Sequence, residues 1–297
     1  MSTPHLKVLV AGATGRQGSA VAQWLLANGH DVVALSRNLA HPEAMRLMRR
    51  GARLAWAAFD DRPALEESMH GCDGLFLMTP HSAGAEDEVR YGTTMAEAAA
   101  AAGVGHVVFS SMPGAAQPTG IPHLDSKHAI ERRLAELEVP HTVVAPAFFM
   151  ERFTDAPHIE RFREGRLVLP YPPGRKLQQI AVADVARFVT VVFEAPDDFL
   201  GERIPIAGDE LSGIEMAATL ARVMTRPIVY EEQPLAAAWA SDSTLAGTFE
   251  HLQRAGPAAD VSALRATYDI GWHTLDGWAR QQQWHALLEA PTSLRHS

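Results

Sequence analysis

Glycines at positions 12, 15 and 18 sit where a run of apolar residues gives way to a helix-like pattern, in the stretch L-K-V-L-V-A-G-A-T-G-R-Q-G over residues 6–18. Each glycine suits a separate physical task. Gly12 permits a sharp turn off a strand, Gly15 lets a pyrophosphate approach a backbone that carries no Cβ, and Gly18 lets the next helix pack closely on the strand. The N–H groups of that helix start then face the anion. The chemistry this predicts is dinucleotide binding. The tip of a second apolar run, Ser36-Arg37-Asn38, falls where an acid would hold the ribose 2′-hydroxyl of NAD. No acid stands there. Arg37 does, with Arg16 as a second cation, and a guanidinium grips phosphate oxygens in a bidentate fork. NADP(H) is therefore the expected coenzyme. Asp60, at the end of the next run, is placed to accept from the adenine amino group, while Asp61 before Pro63 suits a helix cap.

The elements that must carry these residues alternate between strand and helix as far as residue 150. Strands are predicted over 6–10, 31–37, 52–60, 106–111 and 141–146, and 71–80 is read as a turn followed by a strand that ends at Thr79-Pro80. Helices are predicted over 19–28, 41–50, 63–69, 84–103 and 123–134. This alternation predicts an α/β fold, a Rossmann-like doubly wound parallel sheet. In such sheets ligands bind beyond the carboxyl ends of the strands. Thr79, Pro80 and Ser111 fall at such ends. Residues 112–122 are rich in proline and glycine and read as a loop over the site. His123 and Lys127, four apart on the following helix, share a face.

Beyond residue 150 the pattern loosens into a smaller C-terminal α/β lobe. A helix and irregular loop are expected over 157–177, then a short strand and a helix capped by Asp184. Another strand is expected over 202–208, on a sheet edge because of Pro205. Helices are expected over 212–225, 234–255 and 274–288. Trp239, Trp272, Trp278 and Trp284 read as packing residues. The domain reading is a nucleotide-binding domain over 1–150 and a substrate-side lobe over 151–297, with 178–210 partly returning to the sheet. Residues 291–297 read as disordered.

Bulk composition narrows the function classes. The chain has 297 residues, 47% hydrophobic and 21% charged, enough to build a full core. A formal net charge of −9 argues against direct binding of nucleic acid. No apolar run is long enough to span a membrane, and the residues before the first strand leave no room for a signal peptide. The single cysteine, Cys72, fits a reducing compartment, so a cytoplasmic location is expected. Of the 14 histidines, His123 and His128 are five apart and lie on different helix faces. With no C-x-x-C or H-E-x-x-H, no metal site is expected.

Taken together, G-A-T-G-R-Q-G, S-R-N, P-H-L-D-S-K-H-A-I-E, V-P-H-T-V-V-A-P-A-F-F-M-E and I-A-V-A-D-V-A resemble the NmrA-like family, an atypical branch of the short-chain dehydrogenase/reductase superfamily. The resemblance covers about residues 5–285. It implies an NADP site that includes Thr14, Arg16, Gln17, Arg37, Lys127 and the segment with Phe148, Phe149, Met150 and Glu151. Arg152 stands where family members often carry Asn. The superfamily's Ser-Tyr-Lys set is matched by Ser111 and Lys127, but His123 occupies the tyrosine position. Imidazole titrates near 6.5 and phenol near 10, so alcohol oxidation through a phenolate is not expected. The resemblance implies one of two functions. One is an NADPH-dependent reductase of a small quinone, enone or imine, with Lys127 on the nicotinamide ribose and His123 or solvent supplying a proton. The other is a non-catalytic NADP(H) sensor that binds a regulatory protein partner. A monomer or homodimer is expected.

Overall fold

The computed structural model describes residues 5–80 and 84–289. From the amino end the elements run β1 (Lys7–Val10), α1 (Arg16–Ala27), β2 (Asp31–Leu35), α2 (Pro42–Arg49), β3 (Arg53–Ala55) and α3 (Arg62–Met69). Next come β4 (Gly74–Leu77), α4 (Ala85–Ala102), β5 (His106–Ser110), α5 (Pro122–Glu136) and β6 (His141–Pro146). They continue with β7 (Phe148–Phe149), α6 (Ala156–Arg163), β8 (Arg166–Leu169), β9 (Lys176–Ile180), α7 (Val182–Glu194), β10 (Arg203–Ile206) and β11 (Asp209–Ser212). The last are α8 (Gly213–Met224), β12 (Val229–Glu232), α9 (Leu235–Ser241), α10 (Ser243–Ala255), α11 (Val261–Thr267), α12 (Leu275–Ala279) and α13 (Trp284–Glu289). Two compact units result: the chain up to Pro146 with Val185–Pro205, and Ala147–Asp184 with the chain from Ile206 onward. No described helix is long and apolar enough to cross a membrane.

The first unit holds a seven-stranded sheet in the order β10-β6-β5-β4-β1-β2-β3. From β3 through β6 the neighbours are parallel. This is the doubly wound order, and its direction of winding reverses between β1 and β4. Val8, Leu9 and Val10 are fully buried, as a strand covered by helices on both faces requires. In α1 the buried residues Gly18, Val21, Ala22 and Leu25 form one stripe, and the helix ends where Asn28 and Gly29 turn the chain. Pro205 lies in β10 at the sheet edge, as expected. The third strand is shorter than expected, ending at Ala55 rather than Asp60. Asp61 caps α3 by accepting from Ala64 N at 3.2 Å, and Pro63 sits in that helix's first turn, so the chain must leave the sheet earlier.

The second unit is built on a three-stranded sheet, β11-β9-β7, and a two-stranded one, β12-β8. Its core gathers Phe153, Phe162, Tyr171, Leu220, Phe249 and Trp278. Strands β7, β8, β11 and β12 and helix α11 were not expected. The expected helix over 234–255 is two, because Asp242 is extended and its carboxylate caps α10 through Leu245 N at 2.9 Å. The helix expected over 274–288 is likewise broken, into α12 and α13. Trp272, Trp278 and Trp284 are buried as expected, but Trp239 is 39% exposed, and its indole N–H donates to Glu250 at 3.1 Å. The expectation for residues 291–297 lies outside the described residues.

Candidate functional site

The glycine loop has the geometry its sequence demands. Gly12 has φ +62°, where a side chain is strained, and a Cβ there would lie 2.3 Å from the Met78 sulfur. A Cβ on Gly18 would lie 2.3 Å from the Gly12 carbonyl oxygen, so no side chain fits between α1 and the turn. Gly15 N donates to Gly12 O at 2.8 Å; a Cβ on Gly15 would lie 3.3 Å from that oxygen and would meet no other described atom within 4 Å. Among the described residues no side chain caps the start of α1, and its first turn carries no acid. The positive end of the helix dipole is thus left uncompensated beside Thr14 and Arg16. The Gln17 carboxamide oxygen is buried with no hydrogen-bond partner among the described residues. An orphaned polar atom, an uncapped helix start and a backbone open at Gly15 fit a nucleotide diphosphate.

Arg37 follows β2 on an ordered turn. Ser36 Oγ donates to Asn38 O at 2.9 Å and accepts from Asn38 N at 3.1 Å, and Ala40 N donates to the Asn38 carboxamide at 3.0 Å. The Arg37 guanidinium is exposed and makes no ion pair among the described residues. Asp60 accepts from Arg90 at 3.0 Å in a half-exposed pair. It lies five residues past the end of β3, not at the strand tip as expected.

Lys127 and Thr79 are brought together, but not as free ligand contacts. The Lys127 ammonium donates to Thr79 Oγ1 at 2.6 Å and pairs with the Glu88 carboxylate at 3.0 Å. Thr79 in turn donates to Glu88 at 2.7 Å, and Ser126 donates to the other Glu88 oxygen. All four residues are buried. The Thr79 hydroxyl is therefore committed to protein partners; of its dipeptide, the backbone and Pro80 are what remain for a ligand. Burial alone would raise the Glu88 carboxyl. The Lys127 charge and the hydrogen bonds from Ser126, Thr79 and Lys127 outweigh burial and hold it below the usual carboxylate range. Among the described residues Lys127 thus uses two of its three N–H donors, and its charge is balanced by Glu88.

Ser111, at the end of β5, donates to Glu131. Arg203 grips the same carboxylate at 3.0 Å and donates to Met112 O at 2.7 Å. The Ser111 hydroxyl proton is thus directed into this tie. His123 is half-buried in the first turn of α5, four residues before Lys127 as expected. The loop before it is held down. Asp125 accepts from Thr119 N at 2.6 Å, Thr119 Oγ1 at 2.9 Å and Gly120 N at 2.9 Å, and His128 meets Ala115 O at 3.0 Å.

In the second unit Phe148 and Phe149 form β7, paired with Gln179 and Ile180 of β9. The Phe148 ring packs against Phe153 at 5.7 Å and Phe249 at 5.8 Å, so it belongs to that core. Glu151 accepts from Val182 N at 3.0 Å and from the Trp278 indole at 3.1 Å. It does the capping of α7 expected of Asp184. Because α7 begins at Val182, Asp184 lies inside its first turn and binds His273 Nδ1 at 2.6 Å and N at 2.8 Å instead.

Glu88 is the site residue the sequence reading missed. Its signal was present: Glu88, Gly92, Met95, Ala96 and Ala99 form one buried stripe of α4, and an acid on such a stripe needs a partner.

Residues 4–261 match the model of the NmrA-like family. The chain is 33% identical over 234 residues to the (4-alkanoyl-5-oxo-2,5-dihydrofuran-3-yl)methyl phosphate reductase of Streptomyces griseus, covering 76% of each protein. Two of the solved structures that share the fold hold a bound coenzyme. One is NmrA, a negative transcriptional regulator, in complex with NADP, with TM-score 0.77, 21% identity, and coverage of 95% of this chain and 99% of that one. The other is the NADPH-dependent quinone oxidoreductase QOR2 of Escherichia coli with NADPH, with TM-score 0.78, 22% identity, and coverage of 92% and 98%. The chain belongs to the NmrA-like family.

Proposed function

We propose that the protein binds NADP(H) through its first unit and uses it to reduce a small quinone, enone or imine. The observation that carries the reading is the start of α1 behind Gly12, Gly15 and Gly18, which no described side chain caps, with an Arg37 that makes no ion pair among the described residues at the neighbouring strand tip. Gly15, Arg16 and Gln17 hold the diphosphate, with Thr14 beside them. Arg37, helped by Arg16, binds the 2′-phosphate, and Asp60 takes the adenine amino group with the oxygen that Arg90 leaves. The backbone at Thr79 and Pro80 lines the switch point between β1 and β4. Lys127 donates its remaining N–H to the nicotinamide ribose. When bound, the reduced nicotinamide supplies a hydride. His123 supplies the proton, and acceptors that need little proton assistance suit a site whose Ser111 proton is turned away and whose lysine charge is balanced by Glu88.

The Streptomyces griseus relative is named a reductase, which favours turnover. A sensor that binds NADP(H) and a protein partner is the second reading, favoured by the missing tyrosine at His123. The test follows NADPH absorbance with a panel of quinones, enones and imines, for the wild type and for Lys127→Ala and His123→Phe. Turnover that falls in both variants supports the reductase. Tight coenzyme binding without turnover of any acceptor leaves the sensor.

A further inference from the structure

Trp56 is the first residue after β3 and is 53% exposed, an indole left open to solvent at the carboxyl edge of the sheet. Its Nε1–H donates to the Arg37 carbonyl at 3.1 Å. The bond joins the two neighbouring strand tips, for β3 is paired with β2 up to Leu35 and Ala55, and Ser36 N continues to Ala55 O at 3.0 Å. Arg37 is thus held twice: through Ser36 and Asn38 within its own turn, and from the side by the indole. We infer that Trp56 sets recognition of the nucleotide's 2′-phosphoadenosine end, its N–H holding the Arg37 turn and its open ring face stacking the adenine. This rests on the coenzyme reading above. The ribose meets the β2 tip in this fold, and the base is one bond from that ribose, so it falls within reach of the residue flanking the tip. A flat aromatic face accepts a base without reading its edge, which leaves selectivity to the cation that the same ring positions.

The two roles separate by substitution. Trp56→Phe keeps a ring and removes the N–H, whereas Trp56→Leu removes both. The probes are 2′,5′-ADP and 5′-AMP, titrated by calorimetry into the full chain, with circular dichroism melting as the folding control. Trp56→Phe should weaken 2′,5′-ADP about fivefold and leave 5′-AMP unchanged, because one hydrogen bond that holds Arg37 is lost. On an Arg37→Ala background the same change should do nothing further. Trp56→Leu should weaken both probes, 5′-AMP by about tenfold through lost stacking. Wild-type affinity for 2′,5′-ADP in both Trp56 variants overturns the inference while leaving the coenzyme reading intact. A wild-type protein that binds neither probe overturns the coenzyme reading, and the inference with it.

Discussion

The Glu88 carboxylate lies 3.0 Å from the Lys127 ammonium, and both are buried. A buried pair earns little over an apolar pair of the same volume, but removing one partner strands a charge in low dielectric. Glu88→Ala should therefore destabilise the protein by about 3 kcal/mol in urea unfolding followed by circular dichroism. The double change Glu88→Leu with Lys127→Met should recover most of that loss. It should not recover reduction of acceptor by NADPH. A double variant as unstable as Glu88→Ala would mean that the pair is stabilising in its own right.

That pair is held in register by a close approach one turn further along both helices. A Cβ on Gly92 of α4 would lie 2.3 Å from Cδ1 and 2.5 Å from Cγ1 of Ile130 on α5. Glu88 and Gly92 are four apart, as are Ser126 and Ile130. Gly92→Ala gains about 1 kcal/mol of helix propensity but forces an overlap costing about 1–3 kcal/mol and pushes the helices apart. Thermal melting should show a net loss, and the KM for NADPH should rise as Glu88 and Lys127 separate. Adding Ile130→Ala should restore the KM better than it restores stability, since it opens the space but leaves a cavity.

The parallel sheet and the glycine turn were legible because one periodicity controls each. Buried strands read as apolar runs, and the turn needs glycine where φ is positive or backbone crowds backbone. Asp61 and Gly103 likewise stop or start helices by local rules. What was not legible depends on partners distant in sequence. Thr79 and Ser111 sit at strand ends as expected, yet their hydroxyls are used by Glu88 and Glu131, which sequence spacing cannot couple to them. In the second unit, β8 and β12 are four-residue strands that exist by pairing with one another across some sixty residues. Asp184 followed a local capping rule and was overruled by His273, 89 residues away.

His106 gives a prediction for pH. Its Nε2 lies 2.9 Å from Thr142 Oγ1, and Thr142 donates its own proton to Phe199 O at 2.7 Å. Nε2 must therefore be the donor, which leaves Nδ1 as a buried acceptor without a partner among the described residues. Protonating Nδ1 would bury a charged N–H with nothing to receive it. Burial, then the charge of His141, pushes the ring down to about 4. His158 in the second unit is pushed down to about 4 by burial and then by the charge of Arg152. Between about 6.5 and that value the unfolded chain binds these protons and the folded chain does not. Stability is thus complete above about 6.5 and falls toward pH 4, by about 3 kcal/mol at most for each ring. His106→Phe should flatten the His106 share of this slope in unfolding curves taken across the window; an unchanged slope would show that the ring is charged in the fold.

Asp125 tests whether the loop over 112–121 serves the site by being fixed. Its carboxylate gathers both donors of Thr119 and the Gly120 N–H, tying the end of the loop to the first turn of α5, which also carries His123. Burial alone would raise the Asp125 carboxyl, but those hydrogen bonds and the His128 charge outweigh it and lower it. The tie is therefore complete above the ordinary carboxylate range and loosens only as pH falls through the lowered value. Asp125→Ala should speed hydrogen exchange at the Thr119 and Gly120 amides and open the loop to proteolysis, with the rest of the first unit still protected. If a fixed loop shapes the acceptor side, the KM for the quinone, enone or imine should rise several-fold while the affinity for NADPH, held by the glycine turn and Arg37, stays unchanged. Equal losses for both would place the loop's effect on α5 as a whole, through Lys127, rather than on the acceptor.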